Sequence, residues 1–113
     1  MTIGYNQLGK VVDFIEDKKG GKITILDLQG ISIIADYFII VTGNSTTQTK
    51  AITNYLTEKL PELEIPILRK EGLPAASWVL IDCGDLVIHI MTPETRDFYS
   101  LERLWGDAQE VIL

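Results

Sequence analysis

The apolar positions along this chain change period several times, and each change marks an element. Leu8, Val11, Val12 and Ile15 recur at i, i+3, i+4 and i+7, which is one face of a helix. Gly20-Gly21 ends that helix, because glycine reaches a C-terminal cap conformation without a side-chain clash. "ITILDL" (Ile23 to Leu28) then predicts a strand, and "QGISIIAD" a connection with at most a short extended piece. "YFIIVT" (Tyr37 to Thr42) is apolar at both alternating sets of positions, as a strand buried on two faces must be.

Past that strand, Ser45 or Thr46 is placed to cap a second helix by accepting from one of its free N–H groups. Ile52, Tyr55, Leu56 and Leu60 form the apolar stripe of this helix, and Pro61 closes it. "PILRKEG" predicts a third strand ending at Gly72. If it shares a sheet with Tyr37–Thr42, a right-handed crossover leaves the two strands parallel. "WVLID" and "LVIHIMT" flank "CGD" and predict a hairpin. Thr92 then caps a third helix with Pro93 at its first position, where a missing N–H costs nothing. Phe98, Leu101, Leu104 and Trp105 give that helix its apolar face, and Gly106 stops it. The expected fold class is α/β: one domain over residues 1–113, with a mixed sheet of roughly five strands and about three helices.

The hairpin decides which side chains stand together. With Cys83-Gly84 as a two-residue turn, Asp82 faces Asp85, Trp78 faces His89, Leu80 faces Val87 and Ala76 faces Met91. Val79, Ile81, Ile88 and Ile90 share the other face, a uniform branched set that suits a core. Trp78, Leu80, Val87, His89 and Met91 form a mixed set. Trp and Met are enriched at the centres of protein interfaces, so these five are the candidate partner surface. The alternative is that helices cover both faces and the five are simply a second layer of core.

Composition narrows the partner. The chain has 113 residues, 46% hydrophobic and 23% charged, enough apolar content for a folded core. Its net charge is −6 and its pI about 4.6. Such a surface repels phosphate backbones, which argues against direct nucleic-acid binding and favours a basic protein. The single cysteine, Cys83, permits no internal disulfide. The opening "MTIGYNQLGK" lacks an apolar targeting core, and the longest apolar run is far too short to span a bilayer. A cytoplasmic protein without a membrane partner is the expectation.

The residue types also allow a catalytic reading. Asp82 and Asp85 can hold a divalent ion, and "TGNS" (Thr42 to Ser45) resembles the glycine–serine loop beside the carboxylates of a metal-dependent nucleotidyltransferase. Against it, acidic residues around a tight turn are favoured for the turn itself. No basic cluster neutralises a triphosphate. His89 is the only histidine and Cys83 is not at ligand spacing from it, so zinc is not expected. No cofactor is implied.

Several motifs occur together: Asp36-Tyr37-Phe38 before Thr42-Gly43-x-Ser45, Glu71-Gly72, Trp78-Val79-Leu80-x-Asp82-x-Gly84-Asp85, Val87-x-His89, and Phe98-Tyr99-x-Leu101-Glu102-x-Leu104-Trp105. In this order they resemble the ribosomal silencing factor (Iojap) family, over about Ile23 to Ala108. The resemblance implies a nucleotidyltransferase-like fold without a working active site, and no enzymatic activity. It implies binding to a basic protein on the intersubunit face of the large ribosomal subunit, steric block of small-subunit joining, and repression of translation. It also implies that isolated chains can form homodimers. By motif position it directs the partner surface to Trp78, His89 and Met91, within the same five residues. Cys83 and Met91 depart from it: relatives often carry tyrosine or leucine at the first and phenylalanine at the second.

Overall fold

The computed structural model of the chain describes residues 3–113. Helix α1 (Tyr5–Asp17) leads into β1 (Gly21–Asp27) and, through a loop, β2 (Tyr37–Thr42). Helix α2 (Thr46–Lys59) follows, extended by a 3-10 turn at Leu60–Leu63. Strands β3 (Arg69–Glu71), β4 (Trp78–Asp82) and β5 (Leu86–Met91) come next, then helices α3 (Pro93–Tyr99) and α4 (Leu101–Leu104) and strand β6 (Gln109–Glu110). The expected mixed α/β architecture is present, with six strands in place of about five. The sixth escapes a pattern search because it is two polar residues long.

The strands form one sheet in the order β3-β4-β5-β2-β1-β6. β2 and β5 pair in parallel at its centre, and the other neighbours pair antiparallel. β2 and β3 therefore run parallel, as a crossover through α2 requires, but the β4–β5 hairpin lies between them. All six residues of β2 and all six of β5 are buried, which is why Tyr37–Thr42 carries apolar side chains in both directions.

Each sheet face carries its own core. On one, Leu8, Val11 and Ile15 of α1 and Ile52 and Leu56 of α2 pack over Ile39, Val41, Val79, Ile81, Ile88 and Ile90. On the other, Leu26, Leu28, Ala35, Phe38, Ile40, Val87, Met91 and Leu101 form a smaller cluster, flanked by half-buried Trp78, Leu80, Trp105 and Ala108. The tail joins the body: Gln109–Glu110 pairs with β1 and Val111 is buried, while Ile112 and Leu113 stay exposed.

Two expectations are corrected. The hairpin turn is Gly84-Asp85, not Cys83-Gly84. The Cys83 N–H donates to the Leu86 carbonyl, and Gly84 sits at φ +84°, the positive value a tight hairpin requires at its first central residue. Trp78 therefore faces Met91, Leu80 faces His89 and Asp82 faces Val87. This is a shift of two residues, so the residues of β4 and β5 keep the faces expected for them, whereas Ala76, just before β4 at φ +64°, packs in the opposite core and not beside Met91. The third helix does not run on to Gly106. It breaks at Ser100, whose φ is +47°, and the apolar residues read as its inner face split: Leu101 is buried, while Phe98 and Leu104 point outward.

Candidate partner-binding surface

Trp78, Leu80, Val87, His89 and Met91 do share one face of the hairpin, but only part of it is accessible. Met91, His89 and Val87 are 0%, 4% and 5% exposed. Burial follows from what covers them. α4 and the segment after it bring Leu101, Trp105 and Ala108 over this face, and the Trp105 ring meets Phe38 edge-on at 5.9 Å. Trp78 and Leu80, on the strand farther from that cover, remain half-exposed. Of the five residues expected on one surface, Trp78 and Leu80 are partly exposed and Val87, His89 and Met91 are buried.

Trp78 Nε1–H donates to His89 Nδ1 at 3.1 Å, and the two rings lie 6.0 Å apart. An imidazole that accepts at Nδ1 in its neutral form carries its proton on Nε2. His89 Nε2 is buried without a conventional partner, and the ring stands edge-on to Phe38 at 4.6 Å. Tyr99, half-exposed at the end of α3, packs on the outer side of Trp78 at 4.8 Å, and Phe98 packs on Tyr99 at 5.0 Å. The indole thus contacts both a buried imidazole and an exposed phenol.

Burial pushes the His89 pKa down from 6.5 to about 4. Between those values the unfolded chain binds a proton that the folded chain excludes. Stability contributed by the neutral imidazole is therefore complete above pH 6.5 and is lost as pH falls toward 4, by about 3 kcal/mol in all. His89→Gln keeps an acceptor for Trp78 but does not titrate. Urea unfolding of both proteins at pH 4.5 and 7.5 should show the wild type losing more stability than the variant on acidification. An equal loss would contradict a buried neutral imidazole.

Beside Trp78 lies a small depression of about 190 Å3 lined by Glu71, Gly72, Trp78 and Leu80. Gly72 shapes it. Its φ is +99°, and a Cβ there would sit 2.0 Å from the Trp78 carbonyl oxygen. The Glu-Gly pair in the sequence is thus the point where the loop before β4 crosses over Trp78. Gly72→Ala is expected to lower stability by about 2–4 kcal/mol, combining a disfavoured backbone with a clash that side-chain motion cannot relieve. Thermal unfolding reads this directly; an unchanged melting temperature would show that the loop can move away.

The catalytic alternative finds no arrangement to support it. Asp82 Oδ1 accepts from the Gly84 N–H in the hairpin turn, and Oδ2 pairs with Arg69 of β3 at 3.2 Å, so both carboxylate oxygens have structural partners. In "TGNS", Ser45 Oγ accepts from the Gln48 N–H at 3.1 Å, which makes the motif a helix cap. Gln48 in turn accepts from the Asn44 N–H and donates to the Lys18 and Lys19 carbonyls. Burial raises the Cys83 thiol to about 12, with Asp82 adding to the shift, so the thiolate is not a nucleophile at neutral pH. Among the described residues no group of three or more His, Cys, Asp or Glu side chains is disposed to hold a metal.

A cleft of about 580 Å3 lies between β1, β2 and helices α3 and α4, with Arg96 among its lining residues. All five N–H groups of Arg96 are engaged inside the protein. Nε and one Nη2 proton go to Glu102, Nη1 to the Lys22 carbonyl and to Thr42 Oγ1, and the remaining Nη2 proton to Thr24 Oγ1. A saturated guanidinium is a clamp and has no donor left for a ligand. Sequence reasoning missed this role, as it missed Tyr99 and Phe98. The paired aromatics were visible in the last motif, but the unbroken helix assumed there aimed Phe98 inward.

Comparison with known proteins places this geometry in a family context. The model of the family "Ribosomal silencing factor during starvation" matches residues 5–113. The chain is 46% identical over 102 residues to the ribosomal silencing factor of Halalkalibacterium halodurans, covering 90% of this chain and 87% of that protein. It is 34% identical over 98 residues to mitochondrial assembly of ribosomal large subunit protein 1 of Mus musculus, covering 84% of this chain and 43% of the longer relative. A crystal structure from Chromobacterium violaceum superposes with a TM-score of 0.87 at 38% identity, over 94% of this chain and 88% of that one.

Proposed function

Because the chain belongs to the ribosomal silencing factor family, a family of regulatory factors rather than enzymes, we propose that residues 1–113 form one domain that binds the large ribosomal subunit and blocks small-subunit joining. The Mus musculus relative is named for large-subunit assembly, which supports the choice of subunit. The observation that carries the reading is Trp78: a partly exposed indole in contact with His89 and Tyr99, beside partly exposed Leu80 on a sheet face whose centre is buried. Rigid aromatic anchors of this kind dominate binding energy because little side-chain freedom is lost on contact.

The partner's chemistry follows from the surroundings. The depression beside Trp78 joins an apolar wall, Trp78 and Leu80, to the Glu71 carboxylate, whose Oε2 also faces Arg69 Nε at 3.5 Å in an exposed pair. A lysine or arginine side chain fits both parts, its stem along the indole and its head at the acid. A net charge of −6 steers such a basic ribosomal protein toward the surface. Direct grip on ribosomal RNA is not part of the proposal. A homodimer through the same face would hide Trp78, so self-association and ribosome binding would compete. Among the described residues no helix is long and apolar enough to cross a membrane, and the proposed place of action is the cytoplasm, on ribosomes.

Hydrogen exchange with and without purified large subunits tests the assignment. Slower exchange is expected around Glu71–Gly72, Trp78–Leu80 and Tyr99. Protection confined to α1 and α2, on the opposite sheet face, would overturn the assigned surface.

A further inference from the structure

We propose that the loop between β1 and β2 is a second docking element, and that it seats in an apolar recess of a basic protein surface. Between Leu28 and Asp36 the chain exposes three isoleucines. Ile33 is fully exposed, and Ile34 and Ile31 are 65% and 45% exposed. These side chains are not exposed because the loop is loose. Leu28 and Ala35 anchor its two ends in the smaller core. The Leu28 N–H donates to the Asp36 carbonyl and closes the loop, while the Ile31 and Ser32 N–H groups both donate to the Leu28 carbonyl. Ser32 Oγ accepts from the Ile34 N–H, and the Asp36 N–H ties the loop to the hairpin turn at the Asp85 carbonyl. The backbone is pinned, and the apolar side chains project from it.

Charge selects the occupant. No lysine or arginine occurs between Lys22 and Lys50, while Asp27 and Asp36 flank the loop. Both carboxylates act on the Tyr37 hydroxyl and, after burial, help to raise its pKa. An apolar tip flanked by aspartates, on a stretch of sequence without lysine or arginine, is a poor surface for nucleic acid or an anionic membrane. It complements a protein surface with a greasy recess ringed by lysine or arginine. The loop sits beside the turn that ends β4, whereas Trp78 starts that strand. The two contacts would therefore grip at opposite ends of the hairpin, with the orienting effect of two separated attachment points.

The proposal uses the ribosomal reading only to choose the probe. A benzophenone amino acid placed at position 33 in one sample and at position 99 in another is irradiated with purified large subunits. The expected result is an adduct from position 33 to a basic ribosomal protein. In parallel, the paired substitutions Ile33→Ser and Ile34→Ser should weaken large-subunit binding about tenfold with an unchanged melting temperature. An adduct from position 99 alone, with full binding by the serine pair, overturns the loop contact and leaves the Trp78 surface standing. Adducts from position 33 only to ribosomal RNA or to a second copy of this chain overturn the basic-protein occupant. No adduct from either position, together with no co-sedimentation, overturns both readings.

Discussion

Replacing Trp78 with alanine should weaken binding to the large ribosomal subunit by about 30- to 1000-fold, the range of a central aromatic anchor. The fold should survive. Trp78 is half-exposed and stands at the start of β4, outside both fully buried clusters. What is lost is the ring between His89 and Tyr99, and with it the apolar wall of the depression that holds Glu71. Trp78→Phe separates two contributions. It keeps an aromatic wall but removes the N–H that holds the ring against His89, so its loss should be smaller than that of the alanine variant. Quantitative co-sedimentation, with circular dichroism as the control for folding, measures both. A folded Trp78→Ala chain that binds like the wild type would move the interface elsewhere.

Arg96→Met should be the most destabilising of the substitutions considered, at about 3–5 kcal/mol. Arg96 joins α3 to β1, β2 and α4 through five hydrogen bonds, and its removal strands several groups at once. The Lys22 carbonyl loses its guanidinium partner at a residue whose φ is +47°, where β1 departs from regular pairing with β2. Thr42 and Thr24 lose their donors, and Glu102 loses a partner at 2.7 Å. Glu102 is partly exposed and can rehydrate, which holds the effect toward the lower end of that range. A chain of this length should melt more than about 10 °C lower. Binding should weaken as well, because α3 carries Tyr99 and Phe98 to the edge of the proposed partner surface. Replacing Arg96 and Glu102 together, by methionine and leucine, should recover part of the stability by removing the unpaired acid. If the single variant melts within a degree or two of the wild type, the clamp is not a structural element.

The sequence made some of this legible for physical reasons that can be named. Tyr37–Thr42 was clear because a strand with helices on one side and α4 on the other needs apolar residues at every position. The face of each hairpin residue was clear even with the turn misplaced, because side chains alternate with period two and the displacement was two residues. Ser45 and Thr92 stand at the N-cap positions expected from their residue types, but only the Ser45 side chain makes the capping hydrogen bond. What failed has a common cause. Phe98 and Leu104 recur at helical spacing with Leu101, and spacing alone cannot tell a residue held for a partner from one held for the core. Ser100, in a left-handed conformation, breaks the helix between them and carries no warning in its side chain. Exposure within the candidate surface was illegible for the related reason that it depends on where a later segment lands. Val87, His89 and Met91 are covered because Leu101, Trp105 and Ala108 fold back over them, whereas Trp78 and Leu80 lie beyond that cover. The clamp at Arg96 joins residues more than 50 positions apart, and no local pattern announces it.

Sedimentation of ribosomal subunits through a sucrose gradient, with and without the purified chain, tests the central claim most directly. If the chain blocks joining, the joined-ribosome peak falls, free subunits accumulate, and the protein travels with the large subunit alone. Trp78→Ala should restore joining. Undiminished joining in the presence of the folded wild-type chain, with none of it travelling with the large subunit, would contradict the account.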